Sequence, residues 1–230
     1  MSTQSFSSES FYTPAEDISG LKAGTEKRPD LPNVLLIGDS ISVGYTLPVI
    51  ERLRDTANTE RAKANCGDTL AGLRNLEAWL GDTRWEVIHF NWGLHDLCYR
   101  HPDARAYGHR DKINGTVSVP LDEYVRNLER LVGRLRQTGA KLIWASSTCV
   151  PEGEAGRYAG DEIVYNEAAA KVMRAHGVPV NDLHAVSQRF GAAHWSLPGD
   201  VHFSKSGSNL LADQVVAAIR EVLAGLPKKF

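Results

Sequence analysis

The sequence predicts an α/β protein, a three-layer α/β/α sandwich built on a five-stranded parallel sheet. Two observations carry the prediction. Five short strand-like runs alternate with segments whose apolar residues recur at helical intervals. The first run, Val34-Leu35-Leu36-Ile37, is unbroken and partly β-branched, as a strand buried on both faces of a sheet must be.

The elements follow in order. The first run stops at Gly38-Asp39-Ser40, and Leu47, Ile50 and Leu53 then mark a helix from Leu47 to about Asp55. A weaker strand is expected over Arg61–Asn65, ending in Asn65-Cys66-Gly67-Asp68-Thr69, where Asp68 or Thr69 caps the next helix. Leu70, Leu73, Leu76 and Leu80 give that helix its face, and Gly81 stops it. A third strand, Glu86–Asn91, ends in Trp92-Gly93-Leu94-His95-Asp96.

Residues 97–119 show no clean periodicity, and a connection this long inside a domain reads as a functional or mobile loop. Pro120 opens the strongest helix, with Leu121, Tyr124, Val125, Leu128, Leu131, Val132 and Leu135 on one face and Gly139 beyond its end. Lys141–Ala145 is the fourth strand, followed by a loop over 146–160. Asp161 is expected to cap a helix running to His176, closed by Gly177. The last strand, Val178–Asp182, is confined to a sheet edge by Pro179. An amphipathic helix from about Ser204 to Leu223 closes the chain.

Residues 1–30 read as a polar leader without the apolar stretch of a signal peptide, and residues 31–230 as one catalytic-sized domain. As it stands the chain reads as cytoplasmic; removal of an export signal would make it secreted or periplasmic. A hydrophobic fraction of 42%, a charged fraction of 23% and a net charge of -2 are ordinary, and give no reason to expect nucleic acid or a membrane surface as partner. Cys66, Cys98 and Cys149 are odd in number and lack paired short spacing, which argues against a disulfide framework or a structural zinc site. The oligomeric state is not readable.

Ser40, where a buried strand hands over to a helix, lies at the carboxyl edge of the sheet. Ligands bind at that edge in open α/β folds. Three further polar clusters, Asn65-Cys66-Gly67, Gly93-Leu94-His95-Asp96 and Gly199-Asp200-Val201-His202-Phe203-Ser204, fall where the same edge can collect them. A serine, a histidine, a carboxylate and backbone N–H groups beside glycines are the parts of an acyl-transfer site.

On these residues the sequence resembles the SGNH, or GDSL, hydrolases: serine esterases, lipases and deacetylases on a flavodoxin-like three-layer fold. The resemblance runs from about Val34 to Leu223. It implies Ser40 as nucleophile, His202 as general base, and an oxyanion hole from the N–H groups of Ser40 and Gly67. Two departures stand out. His95 occupies the place of the family's oxyanion asparagine, and an imidazole N–H can also donate. Gly199 occupies the place of the family's aspartate, so that Asp200, two residues before His202, or else a backbone carbonyl, must orient the imidazole.

Asp39 and Asp96 read as loop-bracing groups, Ser42 as a packing or capping residue, and Cys66 as a small buried thiol. His89, His101, His109, His176, His184 and His194 show no metal-ligand spacing, so neither metal nor other cofactor is expected. Trp195 is a candidate wall for a sugar or acyl pocket. Arg100, with Arg105, Arg110, Lys112, His101 and His109, forms a cationic loop, read either as a solvated surface or as a contact for an acidic substrate. The expected activity is hydrolysis of small acyl esters, O-acetyl groups of a carbohydrate foremost. Short-chain lipid esters or thioesters, and a non-catalytic binding domain on the same fold, are the alternatives. A flavin- or phosphate-binding module fits less well, because Asp39 sits where a phosphate would bind.

Overall fold

Val34, Leu35, Leu36 and Ile37 are at most 1% exposed, so this strand has no face left for water. The computed structural model, which describes residues 27–101 and 109–226, places them in β1 (Asn33–Ile37). The other strands are β2 (Asn58–Arg61), β3 (Val87–Phe90), β4 (Tyr99–Arg100), β5 (Thr116–Val117), β6 (Lys141–Ala145) and β7 (Val180–Asn181). Five of them form one parallel sheet of order β2-β1-β3-β6-β7. The chain leaves β1 towards β2 and then crosses back to β3 on the other side. The resulting switch point, at the carboxyl ends of β1 and β3, is where open α/β sheets bind ligands.

The helices are α1 (Ser40–Leu53), α2 (Thr69–Leu80), α3 (Leu121–Arg136), α4 (Asp161–Ala175), α5 (Leu183–Ser187) and α6 (Lys205–Ala224). α2 packs on α3 and α3 on α4, whereas α1 and α5 pack on α6. These two groups are the outer layers of the sandwich. Tyr124, Leu128, Leu131, Val132 and Leu135, the face read from the sequence, are the buried side of α3. As expected from Pro179, which directly precedes it, β7 (Val180–Asn181, shorter than the Val178–Asp182 read from the sequence) is an edge strand.

Several boundaries differ from the sequence reading. α1 begins at Ser40, not Leu47. Asp39 caps it by accepting from the Ile41 N–H at 3.0 Å, and Thr46 Oγ1 donates to the Ser42 carbonyl at 2.6 Å. Small polar residues carry little helical periodicity, so this first stretch was invisible to an apolar count. Asp161 is the first residue of α4 rather than its cap; that place belongs to Gly160, at φ +98. Part of the 97–119 connection is ordered as the antiparallel pair β4–β5. α5 and a 3-10 turn at Ala192–His194 are too short to leave a periodic signal. Of the polar leader, only residues 27–30 fall among those described. There Asn58 Nδ2 donates to the Arg28 carbonyl, and the Arg28 N–H donates to Asn58 Oδ1.

The second strand is Asn58–Arg61, not Arg61–Asn65. An edge strand can be polar where its side chains find partners, and Arg61 finds several. Only 8% exposed, it donates to the carbonyls of Gly38 (2.8 Å), Ala62 (2.9 Å) and Ala64 (2.5 Å), and to Ser42 Oγ (2.6 Å). The guanidinium thus ties the turn carrying Ser40 to the end of β2. Replacing it by an apolar side chain leaves buried carbonyls without a donor. Arg61→Met is therefore expected to lower unfolding free energy by roughly 3 kcal/mol in urea titration; a change below 1 kcal/mol would mean that the turn holds itself.

Candidate active site

A side chain on the first residue of a helix, directly after a buried strand, has its backbone fixed on both sides. Ser40 has this position: β1 precedes it, and the Asp39 cap fixes the helix start. Its N–H belongs to the first helical turn, which has no carbonyl one turn back to bind.

His202 comes from 162 residues further along, and its Nε2 lies 2.8 Å from Ser40 Oγ. The other ring nitrogen, Nδ1, is 2.5 Å from Asp200 Oδ1, and the same oxygen accepts the His202 backbone N–H at 2.8 Å. With a carboxylate at Nδ1, that nitrogen carries the proton, leaving Nε2 to accept from the serine hydroxyl. Burial works against the charge of Asp200, but the bonds from the His202 ring and backbone outweigh it and bring the carboxyl down to about 2.

The carboxylate reaches the ring from two residues away because Gly199 turns the chain sharply, at φ +72. A Cβ there would stand 3.2 Å from the Gly153 carbonyl oxygen, so a side chain at this position is opposed both by conformation and by space. The displacement of the acid by one residue is thus a consequence of the turn. Beyond it, Trp195 and Phe203 form a backbone bridge with their rings 4.7 Å apart, and the Ser196 N–H and hydroxyl both donate to the His202 carbonyl at 3.0 Å. Ser204 caps α6 immediately afterwards.

Gly67 takes φ +57, and its N–H donates to Asn65 Oδ1 at 3.1 Å. An oxyanion using that N–H must displace, or share it with, the Asn65 amide. The Cys66 N–H donates to the Gly38 carbonyl at 3.1 Å, holding this loop beside the Ser40 turn. Burial pushes the Cys66 thiol up to about 11, which leaves no thiolate at neutral pH and fits the reading of an inert thiol.

His95 is buried and held well below the usual histidine range, by burial first and then by the charges of Arg157, Arg100, His202 and Arg110. It is therefore a neutral imidazole, with a proton on one ring nitrogen. Its loop is fixed by groups that no sequence motif announced. Arg157 Nε donates to the Leu94 carbonyl at 2.6 Å, and Arg157 also pairs with Glu154 at 3.0 Å. Glu154, with none of its surface exposed, pairs further with Arg110 at 2.7 Å and accepts the Gly156 N–H at 2.6 Å.

Asp96 braces the same loop, as the sequence suggested. Its Oδ1 accepts from both the N–H and the hydroxyl of Thr69, whose oxygen in turn accepts from Asn127. Burial raises the Asp96 carboxyl to about 8 despite these bonds. Ser42 bonds to the Asp39 carbonyl and to Arg61, a packing role.

The cationic loop is only partly a solvated surface. Arg110 is committed to Glu154, Arg100 Nε donates to Ser118 Oγ at 3.1 Å, and Lys112 lies 5.2 Å over the Tyr158 ring. Arg105 lies outside the described residues. After β6 and β7, the ligand-type atoms of Cys149, Glu162 and His184 lie within 4.8 Å of one another, a grouping the sequence spacing did not show.

Residues 36–210 match the GDSL-like lipase/acylhydrolase family. Among solved structures, the chain is 21% identical to the lipase/acylhydrolase from Enterococcus faecalis, with a TM-score of 0.66 over 87% of this chain and 100% of that one. An acetyl xylan esterase, AlAXEase, is 16% identical, with a TM-score of 0.65 over 81% and 99%. The psychrotrophic esterase EstA from Pseudoalteromonas sp. is 14% identical, with a TM-score of 0.62 over 84% and 99%. Likeness at these identities bears on the fold. No curated protein sequence matches. Among the described residues, no helix is long and apolar enough to cross a membrane.

The turn at Gly199 gives a direct test of the geometry. Gly199→Ala is expected to cost about 1–3 kcal/mol in urea unfolding, from an unfavourable φ and the contact with Gly153. Esterase kcat should fall more than KM rises, because the Asp200–His202 spacing changes while the pocket does not. Unchanged kcat would detach the turn from the site.

Proposed function

The chain belongs to the GDSL-like lipase/acylhydrolase family of serine ester hydrolases, and within that chemistry we propose that Ser40, His202 and Asp200 remove small acyl groups, O-acetyl foremost, from a carbohydrate. The observation that carries the catalytic assignment is the 2.8 Å approach of Ser40 Oγ to His202 Nε2, between groups from opposite ends of the domain.

Ser40 Oγ attacks the ester carbonyl as His202 Nε2 takes its proton. Asp200 holds the ring and offsets the charge it acquires. The tetrahedral oxyanion draws on the Ser40 N–H, on the Gly67 N–H released from Asn65, and on the neutral His95 ring, each donor worth about 3 kcal/mol of barrier. As the bond between the carbonyl carbon and the sugar oxygen breaks, His202 gives its proton to that oxygen, which leaves as the alcohol and an acyl-Ser40 ester remains. A water deprotonated by the same imidazole hydrolyses it and restores the serine.

The substrate half of the proposal rests on polar loops at the sheet edge and on Trp195, partly exposed beside the His202 turn, where an indole face suits a sugar ring. The fold-level likeness to an acetyl xylan esterase is consistent with it. Arg100, whose charge reaches His95, is a candidate contact for substrate oxygen atoms.

With p-nitrophenyl acetate, Ser40→Ala and His202→Ala should each lose at least about a thousand-fold in kcat/KM, and Asp200→Asn less than either. Equal turnover by wild type and Ser40→Ala would remove the serine from the mechanism. Acetylated xylo-oligosaccharides should release acetate faster than p-nitrophenyl octanoate is cleaved, and the opposite preference would favour a lipid ester.

His95 gives a separate pH test. Because its imidazole is neutral throughout the range where an esterase works, His95→Asn should keep the wild-type shape of the pH–rate profile. It should also keep more activity than His95→Ala, which loses the donor. A limb of the profile that vanishes in His95→Asn, or equal rates for the two variants, would remove the side chain from the oxyanion hole.

A further inference from the structure

Cysteine, histidine and glutamate meet at the rim of the sheet, on the loops and helices that follow β6 and β7. Cys149 lies in the loop after β6, Glu162 in the first turn of α4, and His184 in α5, which follows β7. In the sheet order, β6 and β7 stand beyond β3 from β1, so these residues belong to the other half of the edge. None of them has a part in the ester chemistry above.

We propose that Cys149, Glu162 and His184 form a binding site for a divalent transition metal, with zinc the best match and water as the fourth ligand. Their ligand-type atoms all lie within 4.8 Å of one another. The Glu162 Oε1 to His184 Nε2 separation is 3.4 Å, long for a carboxylate–imidazole hydrogen bond. It equals the edge of a tetrahedron around zinc: bonds of about 2.0–2.2 Å at a tetrahedral angle put neighbouring N and O ligands roughly 3.3–3.5 Å apart.

Each ligand is already held in place. Glu162 Oε2 accepts the Gly160 N–H at 2.9 Å, leaving Oε1 for the metal. The Cys149 N–H donates to Ser187 Oγ and the His184 N–H to Ser146 Oγ, at 3.0 and 2.9 Å. The Glu162 contact orients the ligand group itself, and the other two fix the backbone from which the thiol and the imidazole project. The Glu162 and His184 side chains retain 5% and 14% of their exposure, and Cys149 is partly open, so an ion has a route in from solvent.

The donor set selects the class of ion. One thiolate, one imidazole and one carboxylate suit zinc or cobalt, whereas magnesium and calcium take oxygen alone. A thiolate and a carboxylate together cancel a divalent charge, and binding releases to solvent both the thiol proton and the imidazolium proton that Cys149 and Glu162 favour on His184. The bound ion would clamp the loop after β6 to α4 and α5. That loop also carries Glu154 and Arg157, which support His95.

The test uses the untagged full chain, stripped with chelator and dialysed. Added cobalt(II) should give a thiolate-to-cobalt charge-transfer band and tetrahedral ligand-field bands that saturate at one equivalent, and one equivalent of zinc should abolish both. Cys149→Ser should lose the charge-transfer band, while Glu162→Gln and His184→Asn should weaken zinc binding by about ten-fold or more in chelator competition. Zinc should raise the Tm of the wild type and leave that of Cys149→Ser unchanged. Absence of the cobalt–thiolate band in the wild type, its survival in Cys149→Ser, or equal Tm shifts in the two proteins would overturn the proposal. p-Nitrophenyl acetate turnover by each variant reports that it has folded.

Discussion

The site depends on one contact between distant parts of the chain, the hydroxyl of Ser40 against the imidazole of His202. Ser40 begins α1 and His202 stands just before α6, so the contact exists only because those two helices pack together. Their seam is closely fitted. Gly44 leaves so little space that a Cβ would come within 3.0 Å of Ser208 Oγ, and Arg52 reaches Asn209 at 3.0 Å and Asp213 at 3.1 Å. The Arg52 carbonyl accepts from Arg220 at 2.7 Å. These contacts hold Ser40 and His202 in register before any ligand arrives, and a site assembled in advance avoids the entropic cost of assembly during reaction.

Buried cations organise the turns around that contact. Arg61 gathers carbonyls from the Ser40 turn and the end of β2, and Arg157, paired with Glu154, holds the Leu94 carbonyl next to His95 in the chain. Ions removed from water are not cheap sources of stability, and apolar replacements of whole buried networks are often neutral or better. Their value here is geometric. A guanidinium directs several N–H groups at fixed angles, so one side chain determines where three or four carbonyls can lie. Turns at the end of a sheet lack a ladder to do this for them.

The same cations set the electrostatics of the rim. The charges of Arg157, Arg100 and Arg110 add to burial in keeping His95 neutral. A positive surround also favours a developing oxyanion. Under the proposed mechanism, a neutral imidazole at His95 keeps one ring proton.

The sequence by itself determined the layers, the parallel sheet and the place of Ser40 at its edge. An apolar run ending in a small polar turn has few other solutions, and a serine there is placed by β1 and α1 alone. It also marked Gly67, His95 and His202 as loop residues at one edge. Tertiary structure decided which of these meet and what holds them. Whether Asp200 reaches His202 depended on the left-handed turn at Gly199 and its approach to Gly153. Arg61, Glu154 and Arg157 looked like ordinary charged residues, because periodicity records where apolar side chains face and is silent about polar ones that turn inward. Cys149, Glu162 and His184 are far apart along the chain and share no motif, and their proximity follows only from folding β6, α4 and α5 onto one rim.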